Sequence, residues 1–178
     1  MIIHLNGWPG AGKRTIGECL ARCLDARFVH NHLLHDVAIA CCGLEDAGRW
    51  ALCDAVRSAA YDALAARPAF ETFVMTNALC DGCAREEAAW RHVVALAERR
   101  GVRLVPVVLE ADLAENRRRV ASPGRGGRKL SDPEVLASLV ATAAIQRPPS
   151  PDLLVLDVTR LAAEEAAGRI HRHVETLR

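Results

Sequence analysis

The sequence predicts an α/β protein whose parallel sheet is covered by helices on both faces. Three observations carry that prediction. Five short apolar runs alternate with longer stretches of helical periodicity, and a glycine-rich turn follows the first run at once. The apolar residues, 51% of the 178, are mostly alanine and leucine, with aromatics at only 4%. A parallel connection needs a crossover that a helix supplies, so this alternation argues for one layer of strands between two of helices. The length suits one core and is short for two ordinary domains, so a single domain over residues 1–178 is expected.

Ile2-Ile3-His4-Leu5-Asn6 is short, apolar and stopped by glycine and proline, as a buried strand feeding a tight loop should be. From Lys13 a helix is expected, with Ile16, Cys19, Leu20, Cys23 and Leu24 on its inner face at spacings of three and four. Further strands are predicted at Arg27–His30, Phe70–Thr76, Arg103–Leu109 and Leu153–Val158. Between them, Trp50, Cys53, Val56, Ala60 and Leu64 mark one side of a long helix closed by Pro68. Trp90, Val93, Val94 and Ala97 mark another from Arg85 to Arg100, with a solvent-facing Glu87 and Arg91 pair and Gly101 as its stop. Two segments break the rhythm: a mobile Ser122–Lys129 rich in glycine and arginine, and a stiff Arg147-Pro148-Pro149-Ser150-Pro151.

The formal net charge of +1 excludes a broad basic field for nonspecific nucleic-acid binding. The Met1-Ile2-Ile3-His4 start lacks the basic and apolar segments of a secretory signal, and no apolar run approaches bilayer length, so a soluble, cytoplasmic protein without membrane partners is expected. Cysteines at 19, 23, 41, 42, 53, 80 and 83 are odd in number and irregular in spacing, which suits reduced thiols used as small apolar fillers. Cys80 and Cys83 form the one suggestive pair. A zinc site wants four ligands, and no second pair stands nearby.

The chemistry is concentrated in Gly7-Trp8-Pro9-Gly10-Ala11-Gly12-Lys13-Arg14-Thr15: glycine, four residues, glycine and lysine, between a predicted strand and a predicted helix. Glycines let the backbone come close to an anion, so that N–H groups and the positive helix end face its phosphates while Lys13 neutralises the outer ones. The residue after the lysine is usually a serine or threonine that binds magnesium. Here it is Arg14, and Thr15 is the next hydroxyl.

This string resembles the phosphate loop of adenylate kinases, G-x-P-G-x-G-K-G-T, with Arg14 at the last glycine. The ending Leu156-Asp157-Val158-Thr159, followed by Leu161 and Glu164-Glu165-Ala166-Ala167, is similar to that of shikimate-kinase-like and gluconate-kinase-like proteins, where the turn after the last strand sits beside adenine. The chain also looks like small proteins of the tunicamycin-resistance and chloramphenicol-phosphotransferase kind. The resemblance implies a three-layer P-loop NTPase fold with a five-stranded parallel sheet and a short basic lid. It implies ATP and Mg2+ as cofactors, with Gly7, Pro9, Gly10, Ala11, Gly12, Lys13, Arg14 and Thr15 on the nucleotide. Thr15 would touch the α-phosphate, and magnesium would be held through water.

Kinases commonly stabilise the transferring phosphoryl group with arginines on a closing segment. Residues 117–131 fit that need, with Arg125 and Arg128 in the catalytic lid role alongside Lys13, and Arg118 similar to the arginine that stacks near adenine. A solvated basic loop is the plainer alternative. After the second strand, His30, His32 and Asp36 fall where related kinases place an acceptor-binding aspartate. A histidine can serve as base near neutral pH. The third strand ends in Thr76 and Asn77, where many P-loop enzymes carry an acid that orders magnesium; Asn77 lacks that charge. Arg147 resembles the arginine with which shikimate kinases grip an anionic acceptor, and a structural ion pair is its alternative. Two readings remain: an ATP-dependent phosphotransferase acting on a small hydroxyl-bearing acceptor, and a nucleotide-binding or slowly hydrolysing protein, which the missing acids at His30 and Asn77 favour. A polynucleotide 5′-end kinase fits the near-neutral charge poorly.

Overall fold

The structure, a computed structural model, describes residues 1–123 and 129–178. Five strands, β1 (Ile2–Asn6), β2 (Arg27–His30), β3 (Phe73–Thr76), β4 (Leu104–Glu110) and β5 (Leu154–Asp157), form one sheet in the order β2-β3-β1-β4-β5, with every pairing parallel. The helices are α1 (Lys13–Cys23), α2 (His32–Cys42), α3 (Arg49–Ala65), α4 (Ala84–Arg100), α5 (Leu113–Val120), α6 (Pro133–Thr142) and α7 (Ala163–Glu175). This is the three-layer P-loop NTPase architecture.

Side chains alternate across a strand, and here the alternation divides the core in two. Ile3, Leu5, Val74, Val105, Val107 and Leu109 pack with Ile16, Leu20, Ala166 and Ile170 of α1 and α7. Ile2, Phe73 and Met75 pack on the opposite face with Leu34, Cys53, Tyr61, Val93 and Leu96 of α2, α3 and α4. β1 and β4 are buried almost throughout, as expected of central strands covered on both sides.

Several predicted details change. The third strand begins at Phe73, not Phe70: Phe70 is 85% exposed in the turn after Pro68. There Glu71 is held by Arg67 and Arg27, and Glu71 N donates to Pro68 O, so the chain has not yet joined the sheet. Cys23 is exposed, because α1 turns its Gly17 and Ala21 inward beside Ile16, Cys19 and Leu20. In α3 the buried seam is Cys53, Arg57 and Tyr61, with Val56, Ala60 and Leu64 at its margin and Trp50 in the cleft described below. Arg57 is tolerated inside because Asp54 pairs with it at 2.5 Å. Val94 and Glu87 are both half-buried, neither fully inward nor solvent-facing. Gly101 ends α4 in the left-handed conformation, φ +61°, as a stop signal should.

Candidate functional site

In an open parallel sheet, ligands bind beyond the carboxyl ends of the strands, where the chain turns to opposite sides. β1 occupies that position, between β3 and β4, and the glycine loop leaves its end. Gly7 adopts φ +150°, and a Cβ there would lie 2.5 Å from the Leu109 carbonyl oxygen of β4. Gly10, at φ +93°, is as tightly set: its Cβ would meet Asn116 O of α5 at 2.9 Å. The loop is thus wedged between β4 and α5 in a shape that only glycine permits. No side-chain oxygen caps α1, so its first-turn N–H groups and positive dipole end are left for an anion. Lys13 Nζ folds back over the loop and donates to Gly7 O at 2.5 Å and Trp8 O at 2.9 Å. Its ammonium therefore sits against the turn that would cradle the phosphates.

A cleft of about 490 Å³ opens from this loop. Pro9, Gly10, Gly12, Lys13, Arg14 and Thr15 line it on one side, and His30, Asn31, His32, His35 and Trp50 on the other, with Thr76, Asn77 and Ala78 between. The strand order accounts for this, since β3 lies between β1 and β2. Arg14, whose guanidinium pairs with Glu18, joins Arg49, Arg119 and Lys129 among the cations of the wall. Among the described residues no aspartate or glutamate lines the cleft.

The floor holds a pair that reading along the chain does not reveal. His4, 1% exposed, lies 2.9 Å through Nε2 from Asn77 Oδ1 and packs edge-on against Trp90. An amide oxygen only accepts, so His4 is the Nε2–H tautomer and donates. With its oxygen engaged and its backbone N–H given to Leu5 O at 3.0 Å, Asn77 keeps its side-chain NH2 as a donor toward ligand. The register that pairs Leu5 with Thr76 brings these residues together.

Burial pushes His4 down to about 4 from the ordinary 6.5. The unfolded chain therefore takes up a proton that the folded chain refuses, and stability falls as pH drops from about 6.5 to about 4. One such histidine contributes at most about 1.4 kcal/mol per pH unit. His35, also pushed down to about 4 by burial, acts with the same sign. Urea unfolding from pH 7 to pH 4.5 should show a shallower decline for His4→Gln than for the native chain; equal slopes reject the assignment.

His30 and His32 are likewise held below the ordinary histidine value, first by burial. The nearby Arg14 adds to the effect at His30, while Asp36 opposes it at both. Near neutral pH both imidazoles are uncharged and able to accept a proton. His30 Nδ1 and Asn31 Oδ1 are buried without a hydrogen-bond partner among the described residues. Asp36 does not line the cleft; it acts on the histidines through its charge.

Other sequence-derived candidates are placed elsewhere. Arg118 is 71% exposed, bonded twice to Glu115 at 2.7 Å, and outside the cleft. Its neighbour Arg119 lines the cleft and donates to Val158 O and Thr159 O at 3.0 and 2.9 Å, bridging α5 to the turn after β5. The sequence signal for Arg119 is helix phase: it lies three residues after buried Asn116, on the inner side of α5. Arg147 pairs with Glu110 at the end of β4, away from the cleft. Arg125 and Arg128 lie outside the described residues. Cys80 donates its backbone N–H to Glu86, and burial together with that carboxylate pushes its thiol up to about 12.

A glycine loop with its lysine at the end of the middle strand of a parallel β2-β3-β1-β4-β5 sheet defines a P-loop NTPase fold. No protein-family model and no curated protein matches the sequence. Solved structures match it along its whole length. A sugar kinase from Janibacter sp. HTCC2649 is 22% identical, with a TM-score of 0.64 over 98% of this chain and 94% of that one. Shikimate kinase from Acinetobacter baumannii, in complex with shikimate, is 18% identical, with a TM-score of 0.62 over 99% and 94%. The Mycobacterium tuberculosis APS kinase, in complex with AMPPNP and APS, is 19% identical, with a TM-score of 0.61 over 98% and 96%. The likeness is one of fold. Among the described residues no helix is long and apolar enough to cross a membrane.

Proposed function

We propose that the chain is an ATP-dependent phosphotransferase that moves the γ-phosphate of ATP to a small hydroxyl-bearing acceptor. One observation carries this reading: a single cleft joins the phosphate loop to a wall of uncharged histidines, so a phosphoryl donor and a proton acceptor face the same space. The glycine cradle, the uncapped end of α1 and Lys13 fit a polyphosphate. Arg119 and Lys129 stand in the same cleft, and Arg125 and Arg128 are proposed to complete the cationic side as a lid. A magnesium ion bound with the nucleotide would supply charge neutralisation on the phosphate oxygens. With no carboxylate in the wall among the described residues, the lining would fit such an ion through water and the exposed hydroxyl of Thr15.

In the proposed transfer the acceptor oxygen forms a bond to the γ-phosphorus as the bond from that phosphorus to the bridging oxygen breaks, and ADP leaves. His32 accepts the hydroxyl proton, while Asn77, oriented by His4, donates from its amide to an oxygen of the transferring group. Labelled ATP offered with sugars, shikimate-like acids, nucleosides and antibiotics should yield a labelled acceptor, and His32→Ala should slow that transfer by about 100-fold. Release of inorganic phosphate alone, across the whole panel, supports the second reading, a nucleotide-binding or slow NTPase protein. That reading draws on a wall that, among the described residues, offers no acidic residue to a magnesium-bound water or an acceptor.

A further inference from the structure

Resting on the phosphotransferase reading, we infer that the acceptor carries an anionic group, a carboxylate, sulfate or phosphate, and docks it on Arg49 at the corner between α2 and α3. His32, His35 and Ile39 recur at spacings of three and four, so one face of α2 lines the cleft from the histidine wall toward Leu44, Arg49 and Trp50. This corner follows β2, at the edge of the sheet, whereas the phosphate loop leaves β1 two strands away. A charge bound there is thus separate from the charges of the nucleotide.

Arg49 is equipped for that task. Its guanidinium carbon stands 4.5 Å from the centre of the Trp50 ring, and that of Arg85 stands 4.0 Å from the same ring, while His35 meets it edge-on at 5.7 Å. Stacking on indole holds a guanidinium in place without using its N–H donors, which remain free for bidentate recognition of an anion. Arg14, Arg118 and Arg147 are each tied to a carboxylate, but among the described residues none pairs with Arg49. Burial keeps His35 uncharged beside it, so that imidazole adds no positive charge and the anion would answer to the guanidinium. Ile39 and Leu44 supply apolar contact for a carbon skeleton. A neutral acceptor would cover a half-buried cation and leave its donors unpaired, a loss that discriminates strongly against such ligands.

The test uses the full chain saturated with AMPPNP and magnesium, so that the phosphate loop is filled. Sodium sulfate titrated calorimetrically should bind the native chain, weaken at least tenfold with Arg49→Met, and weaken less with Arg49→Lys, which keeps the charge but loses the fork. Stabilisation by AMPPNP should be the same in all three, which shows that the fold and nucleotide site survive. In transfer assays with paired acceptors, gluconate against glucose and shikimate against its methyl ester, label should go to the charged member. No sulfate uptake by the native chain, equal uptake by Arg49→Met, or preferred labelling of the neutral members overturns the inference and leaves the kinase reading standing. Absence of any AMPPNP stabilisation of the native chain removes the kinase reading, and this inference with it.

Discussion

Lys13→Ala should abolish most of the stabilisation that magnesium ATP confers. The ammonium lies against the loop, donating to Gly7 O and Trp8 O, and its removal takes away the cation held within the phosphate cradle itself. Losing a hydrogen-bonded charge partner costs about 2–5 kcal/mol of binding, so an increase in Kd of about 100-fold is a modest expectation. At ligand about 100 times the native Kd, the native chain gains about 2.7 kcal/mol, whereas the variant gains about 0.4 kcal/mol. For a chain of this size that difference should appear in thermal unfolding as a shift of roughly 5–10 °C reduced to about 1 °C. Arg99→Ala, on the exposed side of α4, serves as a charge control and should respond to nucleotide as the native chain does. Equal stabilisation of Lys13→Ala and the native chain rules out the phosphate-loop assignment.

Gly7→Ala should cost more stability than any other single methyl added to the loop. The new Cβ would stand 2.5 Å from the Leu109 carbonyl oxygen, and that atom belongs to a buried strand hydrogen-bonded on both sides. Neither partner can give way without moving β4 or the loop. Overpacking costs about 1–3 kcal/mol, and backbone strain at positive φ a similar amount, so a loss of about 3 kcal/mol or more is expected in urea unfolding. Gly82→Ala separates the two causes: Gly82 has φ +77°, but nothing lies within 4 Å of its Cβ, so it should lose only about 1 kcal/mol. Equal losses at the two positions would mean that the contact with β4 is not the constraint. Nucleotide binding should fail in Gly7→Ala while surviving in Gly82→Ala, because only Gly7 shapes the cradle.

The phosphate loop was legible because its chemistry is contiguous: strand, glycines, lysine and helix follow one another within twenty residues of the start. The same holds for the strands, whose apolar runs are visible one at a time. The opposite wall was only partly legible. His30, His32 and Asn77 stand out by their place after a strand, yet nothing along the chain couples Asn77 to His4, seventy-three residues earlier. Their hydrogen bond exists because β1 and β3 are neighbours in a particular register. Arg118 and Arg119 look alike along the chain, and both bond Glu115; only the phase of α5 shows that Arg119 also reaches the turn after β5 and lines the cleft. Trp50 read as a core residue for the same reason, since helix periodicity names a face but not what that face meets.

What the amino-acid order determined by itself is the set of local choices: where the backbone must bend as only glycine can, where a cation follows that bend, and which runs prefer strand or helix. These depend on neighbours within a few residues, so they survive without knowledge of the fold. Tertiary structure alone decided which distant groups meet. It set His4 under Asn77, turned Arg147 toward Glu110 and away from the cleft, buried Arg57, and brought Arg49 and Trp50 to the end of the histidine wall. The physical reason is that strand order and register convert small separations in space into large separations in sequence, and a cleft is made from the former.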